Sequence, residues 1–258
     1  MSDATMSDAT PSDATPSDAG IATPFRPLTA LRAVGRLMQN PEDTSQVFVI
    51  LAALRGRSAA RRLQRFRVTP AGAAVLAERR RLLDRLTDRA ALAALPDGSL
   101  GRTYLEFMDG EELSADGLVE ASGAGRRGAV DVDVALFLDR MRDMHDLTHV
   151  VTGYGRDPLG ELCLLGFMYR HTGNPGGALI ALMGMSRFPG GRLGRLARGA
   201  LFEGFRQGRQ SDWLPGQDWE ALLTRPLAEV RRQLSIPVPA RYQAASAALA
   251  GEMAPAMT

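Results

Sequence analysis

The segment Met144-His-Asp-Leu-Thr-His-Val-Val-Thr-Gly-Tyr-Gly-Arg-Asp-Pro-Leu-Gly-Glu161 contains two of the three histidines in this 258-residue chain. On an α-helix each residue advances by 100°, so His145, Asp146 and His149 fall at about 0°, 100° and 40°. The three side chains therefore lie on one side of the same helix, within about one turn of each other. The pattern predicts a helix that presents two imidazoles and one carboxylate together.

A turn with two glycines follows this helix. Gly153 and Gly155 can adopt the positive φ angles that end helices, so we expect the helix to stop near Thr152. Asp157 and Pro158 are typical of the N-cap and the first position of a new helix. The segment therefore predicts two helices joined by a short turn.

The same turn predicts a fourth ligand. Glu161 lies about one turn into the second helix, and His149 lies about one turn before the end of the first. In an antiparallel helical hairpin these two levels coincide, so the carboxylate can face the histidines. The predicted metal ligands are His145, Asp146, His149 and Glu161.

Imidazole and carboxylate ligands suit Zn²⁺, Fe²⁺ or Mn²⁺, and they suit metals that prefer sulfur poorly. The motif differs from the His-Glu-x-x-His of zinc proteases, because position 146 is an aspartate. The alternative is that His145 and Asp146 pair with each other and that Glu161 lies at a helix N-terminus without a ligand role.

These residues resemble the metal motif of the coenzyme Q biosynthesis protein 4 family: His145-Asp-x-x-His149, eleven intervening residues and then Glu161. The residues around the turn, from His149 to Glu161, are also similar to the signature of that family. Two further segments agree with it, at residues 98–108 and 218–236. The resemblance extends over about residues 28–238 of the chain.

The resemblance implies a nearly all-helical fold and a role in ubiquinone biosynthesis. Members of the family are associated with removing or replacing the C1 carboxyl group of a polyprenylated hydroxybenzoate, and with organising the other biosynthetic enzymes at a membrane. Our hypothesis is a metal-dependent C1-decarboxylase, oxidative or not, with Zn²⁺ as the favoured ion. Arg142, at about 60° on the same helix face, is a candidate partner for the substrate carboxylate or for Asp146.

Two other functions remain open at this point. The chain could be a noncatalytic scaffold that binds polyprenyl lipid and partner enzymes and uses a metal for structure. A metal phosphohydrolase of the His-Asp type would need a further distant histidine, and His171 is the one remaining candidate. We interpret His171 instead as a residue at a helix C-terminus, where the helix dipole favours it. Nucleic-acid binding is disfavoured because the basic residues lack interleaved aromatic side chains.

The composition sets further limits. Cys163 is the single cysteine, which excludes an intramolecular disulfide and fits a reducing compartment. All 31 basic residues are arginines, so a lysine Schiff base is excluded. The longest apolar runs, such as Val47–Leu54, are shorter than the ~20 residues of a membrane-spanning helix. With no signal-peptide pattern at the N-terminus, we expect a cytoplasmic protein at the inner face of the cytoplasmic membrane.

The chain divides into three parts by pattern. Residues 1–25 contain a repeated five-residue unit with four aspartates and predict a disordered acidic tail. Residues 26–240 predict one helical domain, interrupted by a glycine-rich loop at 110–128. Residues 241–258 are rich in alanine, and we expect them to fray. The predicted fold class is all-α, a single multi-helix domain with an antiparallel hairpin that carries the metal motif.

A basic amphipathic helix is predicted at Gly190–Gln210. Its apolar stripe includes Leu193, Leu196, Leu201 and Phe205, and arginines occupy the other faces. Such a helix can lie at a membrane surface or cover a protein core, and the resemblance to lipid-processing proteins favours lipid contact. The expected partners are a polyprenylated aromatic substrate, other ubiquinone biosynthesis enzymes and a membrane surface, with a homodimer left open.

Overall fold

The computed structural model describes residues 24–40, 43, 45–111, 131–188 and 190–253, and within these residues it contains fourteen α-helices and no β-strand. The predicted all-α fold is therefore confirmed. Most of the predicted acidic tail, at residues 1–23, lies outside the described residues, as does residue range 112–128 of the predicted glycine-rich loop. Among the described helices, none is long and apolar enough to cross a membrane.

Local sequence signals mark the starts of several helices. Several begin with a capping side chain followed by proline, as at Thr69-Pro70 and Asn174-Pro175, where the side-chain oxygen accepts a backbone N–H of the first turn. In chain order they are α1 (Pro27–Gln39), α2 (Ser45–Ala53), α3 (Ser58–Arg67), α4 (Pro70–Glu78), α5 (Leu82–Leu86), α6 (Arg89–Ala93), α7 (Leu100–Gly110), α8 (Val132–Thr152), α9 (Pro158–Thr172), α10 (Pro175–Gly184), α11 (Gly191–Gln210), α12 (Trp219–Leu222), α13 (Leu227–Gln233) and α14 (Ala240–Met253).

The main hydrophobic core lies between α7, α8, α9, α11 and the C-terminal helices, around the fully buried side chains of Tyr104, Met144, Phe167 and Trp219. Helix α9 packs along α11. The two backbones approach so closely that a Cβ atom at Gly208 would lie 2.1 Å from the carbonyl oxygen of Phe167. Cys163 is buried in this core.

Two smaller clusters flank the main core. One joins α3, α4 and the first half of α8, where the rings of Phe66 and Phe137 lie 5.4 Å apart. The other joins α1, α2 and α10 around Ile50. Helix α8 therefore contacts a cluster at its N-terminal half and the main core at its C-terminal half, which fixes the end that carries the histidines.

Two expectations about helices differ from the structure. Helix α8 and helix α9 make few contacts with each other, because α9 packs along α11 instead, so the predicted antiparallel hairpin is not confirmed. The alanine-rich end does not fray at residue 241, since α14 packs on α11 and buries Tyr242 and Ala245.

The apolar stripe of α11 faces protein rather than an open surface. Leu201 is fully buried, and Leu201 and Phe205 lie against Gly166 of α9. Leu196 packs on the main core, and Leu193 is half-buried. These residues therefore pack at least in part against other helices, and lipid contact through the four of them stays a prediction.

Candidate metal centre

The turn between α8 and α9 forms largely as predicted. Helix α8 ends at Thr152, and Gly153 has a φ of 78° and donates its N–H to the carbonyl of His149 at 2.8 Å. The Asp157 carboxylate accepts the N–H groups of Leu159 and Gly160, at 3.0 and 3.1 Å, which caps α9.

Gly155 serves a different purpose from the predicted one, because its φ is not positive. A Cβ atom there would lie 2.6 Å from the hydroxyl of Tyr242. The residue is a glycine because α14 approaches the turn closely, and a helical pattern in α8 and α9 alone could not reveal that approach.

Three of the four predicted ligands lie together. His145, His149 and Glu161 each offer one ligand atom, and these atoms all lie within 4.8 Å of one another. His149 Nε2 is 3.5 Å from Glu161 Oε1. The two imidazole rings are 4.9 Å apart between centroids, at an angle of 85°. The short turn brings Glu161 to the histidines without a side-by-side hairpin.

The tautomer of His149 is fixed by its surroundings. Its Nδ1–H donates to the backbone carbonyl of Tyr154 at 3.0 Å, and since a carbonyl can only accept, the proton must be on Nδ1. Nε2 therefore presents a lone pair, and this buried atom has no hydrogen-bond partner. When Glu161 is ionised, this lone pair and the Glu161 carboxylate oxygen are two acceptors that face each other, an arrangement that a cation between them would stabilise.

Burial shifts the pKa values of four titratable groups at the site. It lowers the pKa of His145 and of His149 to about 4, and the positive charge of Arg156 contributes to both. Burial raises the pKa of Glu161 to about 7 and raises that of Asp146. Both imidazoles are therefore neutral near pH 7, the form in which histidine binds metals.

The structure places Asp146 beside the cluster rather than in it. Asp146 is buried and interacts electrostatically with His149 and Glu161, but it does not join the group of ligand atoms within 4.8 Å. Arg142 lies elsewhere, since its guanidinium bonds to Asp139 at 3.0 Å and to Asp143 at 2.6 Å. It does not pair with Asp146 as was considered.

Arg156 is a site residue that no pattern in the sequence indicated. Its Nε lies 3.8 Å from Glu161 Oε1, and its side chain is 35% exposed. The His149 side chain is fully buried, whereas that of Glu161 is 37% exposed, so the cluster opens to solvent on the side of Glu161 and Arg156. Because Arg156 lies in the turn, helical periodicity gave no signal for it.

These residues fit a divalent metal ion by the chemistry of their donor atoms. Two neutral imidazoles and a carboxylate form the usual ligand set of a catalytic zinc site, and a fourth position remains open when one side of the site is exposed. The hydrogen bond from His149 to Tyr154 is the outer contact that commonly orients a histidine ligand.

Comparison with known proteins identifies the family of the chain. The family described as coenzyme Q (ubiquinone) biosynthesis protein Coq4 matches residues 26–240. The mitochondrial ubiquinone biosynthesis protein COQ4 homolog of Rattus norvegicus is 30% identical over 216 residues, which cover 83% of this chain and 79% of that protein. The homolog of Homo sapiens is 29% identical over 212 residues, covering 82% and 78%.

A solved structure has the same fold. It is the crystal structure of a putative ubiquinone biosynthesis protein from Nostoc punctiforme, with a TM-score of 0.60 and 22% sequence identity over 83% of this chain and 99% of that chain. The family match covers most of the chain and includes every residue of the candidate metal centre. The chain therefore belongs to the coenzyme Q (ubiquinone) biosynthesis protein Coq4 family.

Proposed function

We propose that this ubiquinone biosynthesis protein uses a bound divalent metal, Zn²⁺ in the first instance, to remove the C1 carboxyl group of a polyprenylated hydroxybenzoate at a membrane surface. The observation that carries the proposal is the buried, unpartnered Nε2 lone pair of His149, 3.5 Å from Glu161 Oε1. His145, His149 and Glu161 would hold the ion. When bound, it would supply Lewis acidity to the substrate carboxylate or phenolate.

The exposed side of the site supports a catalytic rather than a structural ion. A structural zinc site is closed by four protein ligands, whereas three ligands and an exposed edge leave room for a substrate. Arg156 lies at that edge and carries a fixed positive charge. We propose that its guanidinium binds the carboxylate of the substrate, the role that the sequence analysis considered for Arg142.

The reaction balances without an oxidant in its simplest form. The bond between C1 and the carboxyl carbon breaks, its electron pair stays on C1, and a proton from water adds there as CO₂ leaves. The oxidative form, in which a hydroxyl group replaces the carboxylate, needs an added two-electron oxidant such as dioxygen. The two forms give different products, so product mass with and without dioxygen separates them.

The exposed surface of helix α1 supports the proposed membrane contact. Leu28, Leu31 and Met38 are each more than half exposed and lie at about 0°, 300° and 280° around the helix. The exposed residues Arg32 and Arg36 lie beside this stripe, and α1 contains no acidic residue. An apolar stripe with arginines along one side is typical of helices that lie on anionic membranes.

The experiment compares metal content and turnover. Glu161→Gln removes a ligand charge, and Glu229→Gln is a matched control because Glu229 lies in the first turn of α13. We expect purified wild-type protein and the control to hold about one equivalent of metal and to release CO₂ from a prenylated hydroxybenzoate in detergent. We expect Glu161→Gln to lose both properties.

Two outcomes would contradict the proposal. Wild-type protein that binds no divalent metal at micromolar concentrations would exclude the metal site. Tight metal binding without turnover by the isolated chain would exclude catalysis and favour the noncatalytic scaffold, for which the exposed apolar face of α1 is the supporting observation.

A further inference from the structure

The turn that joins α8 and α9 makes hydrogen bonds with the C-terminal part of the chain. The hydroxyl of Tyr242, in α14, accepts the backbone N–H of Gly155 at 2.9 Å and donates to the Asp157 carboxylate. The same hydroxyl occupies the space that a side chain at position 155 would need. The phenol group of Tyr242 therefore hydrogen-bonds to two residues of the turn, Gly155 and Asp157.

The contact with Asp157 leads directly to a ligand. Asp157 uses its other carboxylate oxygen, Oδ1, to cap α9 through the N–H groups of Leu159 and Gly160. The backbone N–H of Glu161 donates to the carbonyl of Asp157 at 3.0 Å. Because Tyr242 orients the carboxylate that caps α9, it also sets where the first turn of α9 places Glu161.

Arg231 makes a similar contact with the C-terminal end of α8. The guanidinium of Arg231, in α13, donates to the carbonyls of Val151 and Val150 at 2.9 and 3.0 Å. These carbonyls lie in the last turn of α8, where no partner within the helix is available to them, and a positive charge is favourable there. Arg231 therefore caps the C-terminal end of α8, the last helical turn of which contains His149.

Tyr242 is itself rigidly placed. The carboxylate of Glu203, in α11, accepts the backbone N–H groups of Arg241 and Tyr242 at 2.9 and 3.4 Å, so a buried acid from the core caps α14. The ring of Tyr242 packs edge-on against Tyr154, at 5.3 Å between centroids. The backbone carbonyl of Tyr154 is the group that orients His149.

We infer that Tyr242 and Arg231 are positioning residues that set the separation of His149 and Glu161 and thereby the affinity of the site for its metal. The inference rests on the proposed metal site. Tyr242 lies in α14, so the C-terminal helix contributes to the support of the centre.

The test measures metal affinity in single variants of the full chain. Tyr242→Phe removes the hydroxyl but keeps the ring, and Tyr169→Phe is the control because it removes a partly exposed hydroxyl from α9 itself. Loss of a contact made directly to a metal ligand weakens metal binding by about 10- to 100-fold, and Tyr242 acts one contact further out, through Asp157, so the lower end of that range applies. We expect a change of that size in the Zn²⁺ dissociation constant of Tyr242→Phe, measured by chelator competition, and none in the control.

A second variant tests the other helix. Arg231→Lys keeps the charge but loses the planar pair of donors, and Arg232→Lys is the control at an exposed neighbouring position. Co²⁺ serves as a spectroscopic probe, since its absorption in the visible region reports the coordination geometry. We expect altered Co²⁺ spectra for Tyr242→Phe and Arg231→Lys, and wild-type spectra for both controls.

The outcomes separate this inference from the proposed function. All measurements are made well below the melting temperature of each variant, so a purely structural role would lower that temperature without changing affinity or spectrum. Unchanged affinity and spectrum in both variants, with metal bound to wild-type protein, would overturn the inference alone. Absence of metal binding by wild-type protein would overturn the proposed function as well.

Discussion

Gly160 lies one residue before Glu161, in the first helical turn of α9. The segment that connects α8 to α9 passes close to it there. A Cβ atom at this position would lie 2.0 Å from the carbonyl oxygen of Gly155. That contact is with backbone rather than with a flexible side chain, so it cannot be relieved by a rotamer change. The spacing between the turn and α9 therefore depends on the absence of a side chain.

The first prediction follows from this contact. We expect Gly160→Ala to lower the free energy of unfolding by about 1–3 kcal/mol, as overpacked sites do. Gly35→Ala is the control, because Gly35 lies in α1 with open space around it, and alanine there should stabilise the protein by about 0.5–1 kcal/mol. Urea unfolding measures both values, and equal effects of the two substitutions would contradict the proposed close approach.

At this scale the sequence predicted His145, His149 and Glu161 as neighbours because helix period, caps and turn length are local properties. It could not decide the position of Asp146 or the partner of Arg142, since these depend on residues brought near by other helices. It also did not reveal the contact between Tyr242 and Gly155, because 87 residues separate the two in the chain.

Helices show the same division between local and long-range information. Periodicity correctly indicated that α11 has an apolar stripe, but it could not indicate that α9 and α14 cover it. The buried pair of Arg140 and Glu220, with two contacts of 2.7 Å, joins α8 to α12 across 80 residues. No spacing within either helix predicts such a pair, because each partner alone has the pattern of an exposed charged residue.

The second prediction concerns the exposed stripe of α1. We expect the double variant Leu28→Glu, Leu31→Glu to bind vesicles containing anionic phospholipid at least tenfold more weakly than wild-type protein, because each buried leucine contributes about 1.5–3 kcal/mol. Phe202→Glu on α11 is the control, since Phe202 is similarly exposed. Vesicle co-sedimentation measures binding. Loss of binding in Phe202→Glu but not in the double variant would place the membrane contact on α11.

At the scale of the whole molecule, the stability of the fold depends on pH through His171, a histidine that lies apart from the metal centre. His171 is buried near the end of α9, where its Nδ1 accepts the backbone N–H of Leu214 at 3.3 Å and its Nε2–H lies 3.1 Å from the hydroxyl of Ser211. Burial, together with the charges of Arg65 and Arg170, lowers its pKa to about 3. The fold therefore keeps His171 neutral and holds the segment after α11 through both ring nitrogens.

The third prediction is a loss of stability on acidification that depends on His171. Its pKa is about 6.5 in the unfolded chain and about 3 in the fold, so only the unfolded chain takes up this proton between those values. This residue's contribution to the free energy of unfolding is complete above pH 6.5 and falls by about 1.4 kcal/mol for each pH unit below it. We expect the stability difference between wild-type protein and His171→Gln to shrink at that rate in urea unfolding between about pH 6 and pH 4. The other two histidines are common to both proteins and cancel in the comparison, and a difference that stays constant with pH would show that His171 is not held neutral by the fold.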